Sequence, residues 1–113
     1  MPPKHAALVR LLRRSEQSIA ETVTDAFLAR HQDWVARYGD LARVRGVEDA
    51  RFHVKFLSGA IESDSPAAFA DYVRWTTRVL ESRGIDRAFL RENLLQVQDA
   101  ADALLSPDDV EVV

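Results

Sequence analysis

The segment from Gly39 to Asp64 constrains this chain most, because it reads as a single helix with two apolar faces. Stepping 100° per residue from Val54, the residues Val47, Ala50, Val54, Leu57 and Ile61 fall within about 60° of one direction. Leu41, Phe52, Phe56 and Gly59 gather on the opposite side, with His53 on the shoulder between the two groups. A surface helix of a small protein needs one apolar stripe. The second face therefore calls for a cover: another helix, a second copy of the chain, or a ligand.

The rest of the chain limits which covers are available. At 113 residues, 47% hydrophobic and 29% charged, it fits one ordinary soluble domain, residues 1–113. That length can bury roughly two-thirds of the unfolded surface. No run of about 18 apolar residues occurs, so no membrane-spanning helix is expected. The start, Met1-Pro2-Pro3-Lys4-His5, lacks a hydrophobic signal core, which points to a cytoplasmic protein with residues 1–5 as a flexible terminus. Cysteine is absent, so disulfides, thiolate ligands, cysteine nucleophiles and thioether attachment of a cofactor are excluded. Net charge is -3, and arginines and carboxylates are interspersed throughout. Only Arg10, Arg13 and Arg14 cluster, on a helix that also carries Leu8, Leu11 and Leu12; a solvated face explains them better than a nucleic-acid patch.

Helical periodicity runs through the whole chain, and glycine and proline fall at what read as boundaries. Leu8, Leu12, Ile19, Val23, Ala26 and Phe27 recur at helical spacings, giving one long helix to about Arg30 or two that meet near Ser15–Ser18. Asp33 can cap a short turn holding Trp34 and Tyr38, closed by Gly39-Asp40 before the two-faced helix begins. Ser65-Pro66 is a serine cap followed by proline at the first helical position, and Gly84 suits the end of that helix. Asp86 caps a last helix with the stripe Leu90, Leu94, Val97, Ala101 and Leu104. Residues 106–113 read as a polar linker and an apolar tail toward a following domain, with a strand conceivable only at Val110–Val113. The expected fold is all-α, a bundle of about five helices.

Catalytic patterns are missing. There is no glycine-rich phosphate loop, no G-x-S-x-G turn, and no H-E-x-x-H or E-x-x-H pair. Glu48-Asp49 and Glu62-x-Asp64 lie beside arginines, and surface ion pairing accounts for them. The chain does not read as an enzyme. His31 ends a helix, where an imidazolium favours the negative end of the dipole. His53 has two readings: a partly buried side chain bonded to one neighbour, or an imidazole facing a ligand. The aromatics, Phe52, Phe56, Tyr72 and Trp75 among them, suffice for one core, and such stripes are more often core than cofactor box. Trp75, at the margin of its stripe, can seal a pocket or a dimer contact.

Four stretches carry a family resemblance. The runs Trp34–Gly39 and Glu48–Ile61, with Ala68–Trp75 and Val79–Ile85, resemble the degenerate globin-like helical domain of bacterial sensors over about residues 15–105. Such domains stand ahead of cobalamin-binding domains, including photocobilin-type photoreceptors that hold biliverdin, and related non-haem globin-like modules act in signalling dimers. The resemblance implies a sensory or regulatory module whose partner is a second copy or a signalling domain such as a cobalamin-binding one. A linear tetrapyrrole would be held non-covalently, with His53, Phe52, Phe56, Tyr72 and Trp75 as candidate contacts and Arg51 and Arg74 available for its propionates. Haem ligated by His53 is the less favoured cofactor. The competing expectation is a ligand-free module that dimerises or docks through the same face.

Overall fold

The computed structural model describes residues 3–104, which form six α-helices in sequence and, within that span, no strand. They are α1 (Pro3–Arg14), α2 (Glu16–Arg30), α3 (Gln32–Tyr38), α4 (Leu41–Glu62), α5 (Pro66–Ser82) and α6 (Arg87–Leu104). The all-α reading holds, with six helices where about five were expected. The sixth arises at Ser15, where the first two helices meet: its backbone bends to φ -97°, ψ 4°, although the ladder continues from Ser15 N–H to Leu11 C=O and from Ile19 N–H to Ser15 C=O. The linker and tail expected over 106–113, and the strand at 110–113, lie outside the described residues.

Boundaries follow local chemistry, with two corrections. The cap of α3 is His31, two residues before the expected Asp33; its φ of -129° breaks the helix, and its C=O accepts from Trp34 N–H. Glycines do not sit only at boundaries. Gly39 (φ +61°) and Gly84 (φ +79°) do end α3 and α5, in the left-handed region that suits a residue without Cβ. Gly46 and Gly59 lie inside α4. At the start of α5 the cap is as expected: Ser65 Oγ accepts from Ala68 N–H at 3.2 Å, and Pro66 takes the first turn. Ser65→Ala should therefore cost about 1 kcal/mol, read as a shift in the urea midpoint. A loss below a few tenths would show that Pro66 alone suffices to start α5.

The core is built on α4. Its first face, Ala50 and Val54, is buried against Leu12 of α1, Ile19, Ala20 and Val23 of α2, and Val97 of α6, with Val47, Leu57 and Ile61 packed around them. The α2–α4 contact is the most extensive in the fold, and α5 and α6 touch each other far less. Burying each such aliphatic side chain contributes about 1.5–3 kcal/mol. A second cluster ties the α2–α3 corner to α6: the rings of Phe27, His31, Trp34 and Phe89 lie 4.4–6.0 Å apart. Glu92 closes this corner by bonding His31 Nε2 at 2.5 Å and pairing with Arg30 at 3.2 Å. His31 thus does more than end a helix. Arg10, Arg13 and Arg14 lie exposed on α1, and Arg13 pairs with Glu62 at 2.5 Å.

Candidate functional site

The second face of α4 remains uncovered by the rest of the chain among the described residues. Phe52 and Phe56 are 45% and 48% exposed, and Leu41 and Gly59 are exposed on the same side. Helix α5 reaches only the edge of this face. There the Phe56 ring stacks on Tyr72 with centroids 4.2 Å apart and 13° between planes. Trp75, one turn further along α5, is 56% exposed. The result is an open strip of aromatic surface rather than an enclosed chamber.

His53 belongs to the layer beneath. It is 4% exposed, and its Nδ1 shares a hydrogen bond with the Tyr72 hydroxyl at 2.6 Å. Burial pushes its pKa down from 6.5 to about 4, and the neighbouring Asn93 side chain on α6, which favours the protonated ring, offsets only part of this. Burial likewise pushes the Tyr72 phenol up to about 12. The structure places His53 as a buried side chain joining α4 to α5 through Tyr72. Asp49, one turn earlier on α4, has its carboxyl raised by desolvation and then by the adjacent Glu48 charge.

The two arginines proposed for propionates point elsewhere. Arg51 Nε donates to Glu16 of α2 at 2.9 Å. Arg74 is paired with Asp71 on its own helix. The seven residues singled out in the sequence thus fall into three groups: Phe52, Phe56 and Trp75 on the open strip, His53 and Tyr72 bonded together beneath it, and Arg51 and Arg74 each held by a carboxylate. Among the described residues no three His, Asp or Glu side chains converge into a metal-binding set.

A concave site does exist on the other side of α4. Where α5 and α6 make little contact with each other, a half-open groove of about 720 Å³ lies between α1, α4, α5 and α6. Its walls are Leu8 of α1, Leu57 of α4, Phe69 and Val73 of α5, and Leu94 of α6. None of the seven sequence-selected residues lines it. The volume falls within the range of small-molecule sites, roughly 300–1,000 Å³, which are mostly apolar with a few placed polar groups. Its polar members are few: Thr77, Gln98, Asp102, and Arg87 with Arg91 at one end. Sequence reasoning passed over these residues because the stripe on α6 reads as ordinary core. The available signal was the pair Arg87 and Arg91, spaced by one helical turn beside an apolar stripe.

A smaller cleft of about 290 Å³ lies between α3 and the α5–α6 turn, lined by Trp34, Tyr38 and Phe89 with Arg37 and Arg83. No helix among the described residues is long and apolar enough to cross a membrane. No protein-family model, curated protein or solved structure matches the chain.

Proposed function

We propose that this chain is a non-catalytic sensory or regulatory module of the bacterial cytoplasm that takes an apolar small molecule into the groove between α1, α4, α5 and α6. The observation that carries the reading is the groove itself: a half-open apolar cavity of about 720 Å³ where four helices fail to close. A well-packed domain of this size leaves few voids larger than a water molecule. The resemblance to globin-like sensor domains makes a linear tetrapyrrole the ligand to test first, held without a covalent bond because the chain has no cysteine. Such a pigment supplies visible absorption when bound.

The chain's own residues supply a route for the signal. Phe69, Val73 and Thr77 put one wall of the groove on α5, and Tyr72 of the same helix stacks on Phe56 at the open strip. Any tilt of α5 that accommodates a ligand moves Tyr72 and Trp75 with it. The open strip then changes shape for a second copy or a partner domain docked there, a cobalamin-binding domain being one such partner.

Titrating the purified protein with biliverdin, and separately with haem, tests this. Biliverdin should give a saturable change in its absorption band that Val73→Trp, which fills the groove, removes. Phe52→Ala and His53→Ala should leave the band in place, since neither lines the groove. A band lost with Phe52→Ala but kept with Val73→Trp would move the site to the open strip. No saturable change with either pigment would sink the tetrapyrrole reading.

One observation favours a second reading, a ligand-free module that dimerises or docks through the open strip. Gly59 lies in the last turn of α4, on the same side as Phe52, and a Cβ there would meet nothing within 4 Å. A glycine in that setting costs a helix about 1 kcal/mol and lets another backbone approach closely. If this reading holds, light scattering should show a dimer, and Phe52→Ser with Phe56→Ser should convert it to monomer. A monomer in the parent protein at high micromolar concentration excludes self-association.

A further inference from the structure

We propose that the groove is built for an apolar ligand that ends in a carboxylate, with Arg91 and Arg87 holding the acid end. This rests on the groove being a ligand site and adds the chemical class of the ligand and its direction in the groove. The argument starts from how charge is placed along α6. Arg87 and Arg91 are one turn apart and so share a side of the helix, and both line the groove at its α6 N-terminal end. Asp102 lines the opposite end. At about 1.5 Å per residue, Arg91 and Asp102 are roughly 16 Å apart along the helix. Between them the lining is almost wholly apolar, with Leu94 and Val97 of α6 facing Leu57 and Phe69. Charge at the two ends and hydrocarbon between define an axis. An elongated ligand with one anionic end matches it in a single direction, acid at the arginines and away from Asp102.

The two guanidinium groups differ in availability. Arg87 is held at the rim by Glu81, which accepts from its Nε and from one terminal nitrogen, each at 3.1 Å. Arg91 makes no ion pair among the described residues. Its side chain is exposed at the groove's rim, and its planar fork of donors suits a carboxylate bidentately. Arg91 is therefore the primary contact, and Arg87 adds field at the same end.

Matched pairs of ligands that differ only in the acid isolate this contact. Isothermal titration would compare dodecanoate with dodecanol below micelle formation, and biliverdin with its dimethyl ester, on the parent chain and on Arg91→Gln, Arg87→Gln and Arg78→Gln. The aliphatic and tetrapyrrole arms distinguish the two sources of such an acid. In at least one arm the acid should bind about tenfold or more tightly than its neutral partner, as expected for a hydrogen bond to a charged group. Arg91→Gln should remove most of that preference while leaving the neutral ligand's affinity unchanged, Arg87→Gln should remove less, and the exposed Arg78→Gln none. Circular dichroism would confirm that each variant keeps its helices.

Equal affinity for acid and neutral ligand, or a preference that survives Arg91→Gln, would overturn the carboxylate clamp and leave the groove as an apolar site. Absence of saturable binding by all four compounds would overturn the groove reading together with the clamp. A dimer that dissociates in Leu94→Asp while no compound binds would assign the groove to a second copy of the chain, with the same consequence.

Discussion

Gly46→Leu should lower the stability of this protein by about 3 kcal/mol, the upper part of the usual range for overpacking a core. At Gly46 α4 passes close against α2: a Cβ built there would stand 2.7 Å from Cγ2 of Thr24, which is itself buried. Threonine is branched at Cβ and stiff about χ1, so its methyl group cannot swing aside cheaply. The helices would have to separate, and the α2–α4 contact is the largest in the fold. Gly46→Ala should lose less, because alanine regains about 1 kcal/mol of helix propensity. In a Thr24→Ala background that penalty should vanish, since only the Thr24 Cβ, 3.6 Å away, would remain in contact. Thr24→Ala also deletes a buried Oγ1 that has no hydrogen-bond partner, so the double variant should match or exceed the parent. Urea midpoints at constant slope would measure all four proteins. A Gly46→Leu variant within about 0.5 kcal/mol of the parent, as surface changes usually are, would disprove the close crossing.

Acid should destabilise the fold through His53, by about 3 kcal/mol between pH 6.5 and 4. The unfolded chain accepts a proton on this ring near 6.5, whereas burial holds the folded ring at about 4. Between those values the unfolded state binds more protons, so stability rises with pH there, flattens above about 7, and levels again once the folded ring is protonated. Asp49 acts with the opposite sign: its carboxyl is raised in the folded state, so its protonation on acidification favours the fold and offsets part of the loss. His53→Gln should flatten the slope between pH 7 and 4, whatever it does to stability at neutral pH. Tyr72→Phe leaves Nδ1 of His53 buried without its partner and should cost about 1–3 kcal/mol at pH 7. Unfolding midpoints collected across pH would decide the matter, and a slope that persists in His53→Gln would place the titrating group elsewhere.

Much of the secondary structure was legible because its signals are local. The serine cap and Pro66, the break at Gly84 and the stripe of Leu90, Leu94 and Val97 each declare themselves within a turn or two of sequence. The two faces of α4 were equally legible, since a 100° period needs no neighbours to compute. What escaped were events set by packing. Gly46 looks in sequence like any other glycine, and only the approach of Thr24, twenty-two residues away in the chain, explains it. Glu92 reaches His31 across a sequence separation of 61, for which no local pattern exists. His53 looked as able to face a ligand as to be buried, because a residue on a shoulder goes whichever way its neighbours dictate; Tyr72 and Asn93 dictated inward.

The same division runs through the candidate site. Residue order by itself determined that the chain is helical, that it has no thiol chemistry, and that α4 carries apolar surface on two sides. Periodicity and composition are properties of the chain alone, so no fold was needed to read them. Only the tertiary structure decided which face was closed, that Phe52, Phe56 and Trp75 remain in the open, and that the concave apolar site lies between α1, α4, α5 and α6. Those outcomes depend on how helices far apart in sequence cross and splay, and one helix's periodicity does not encode the angle at which another meets it.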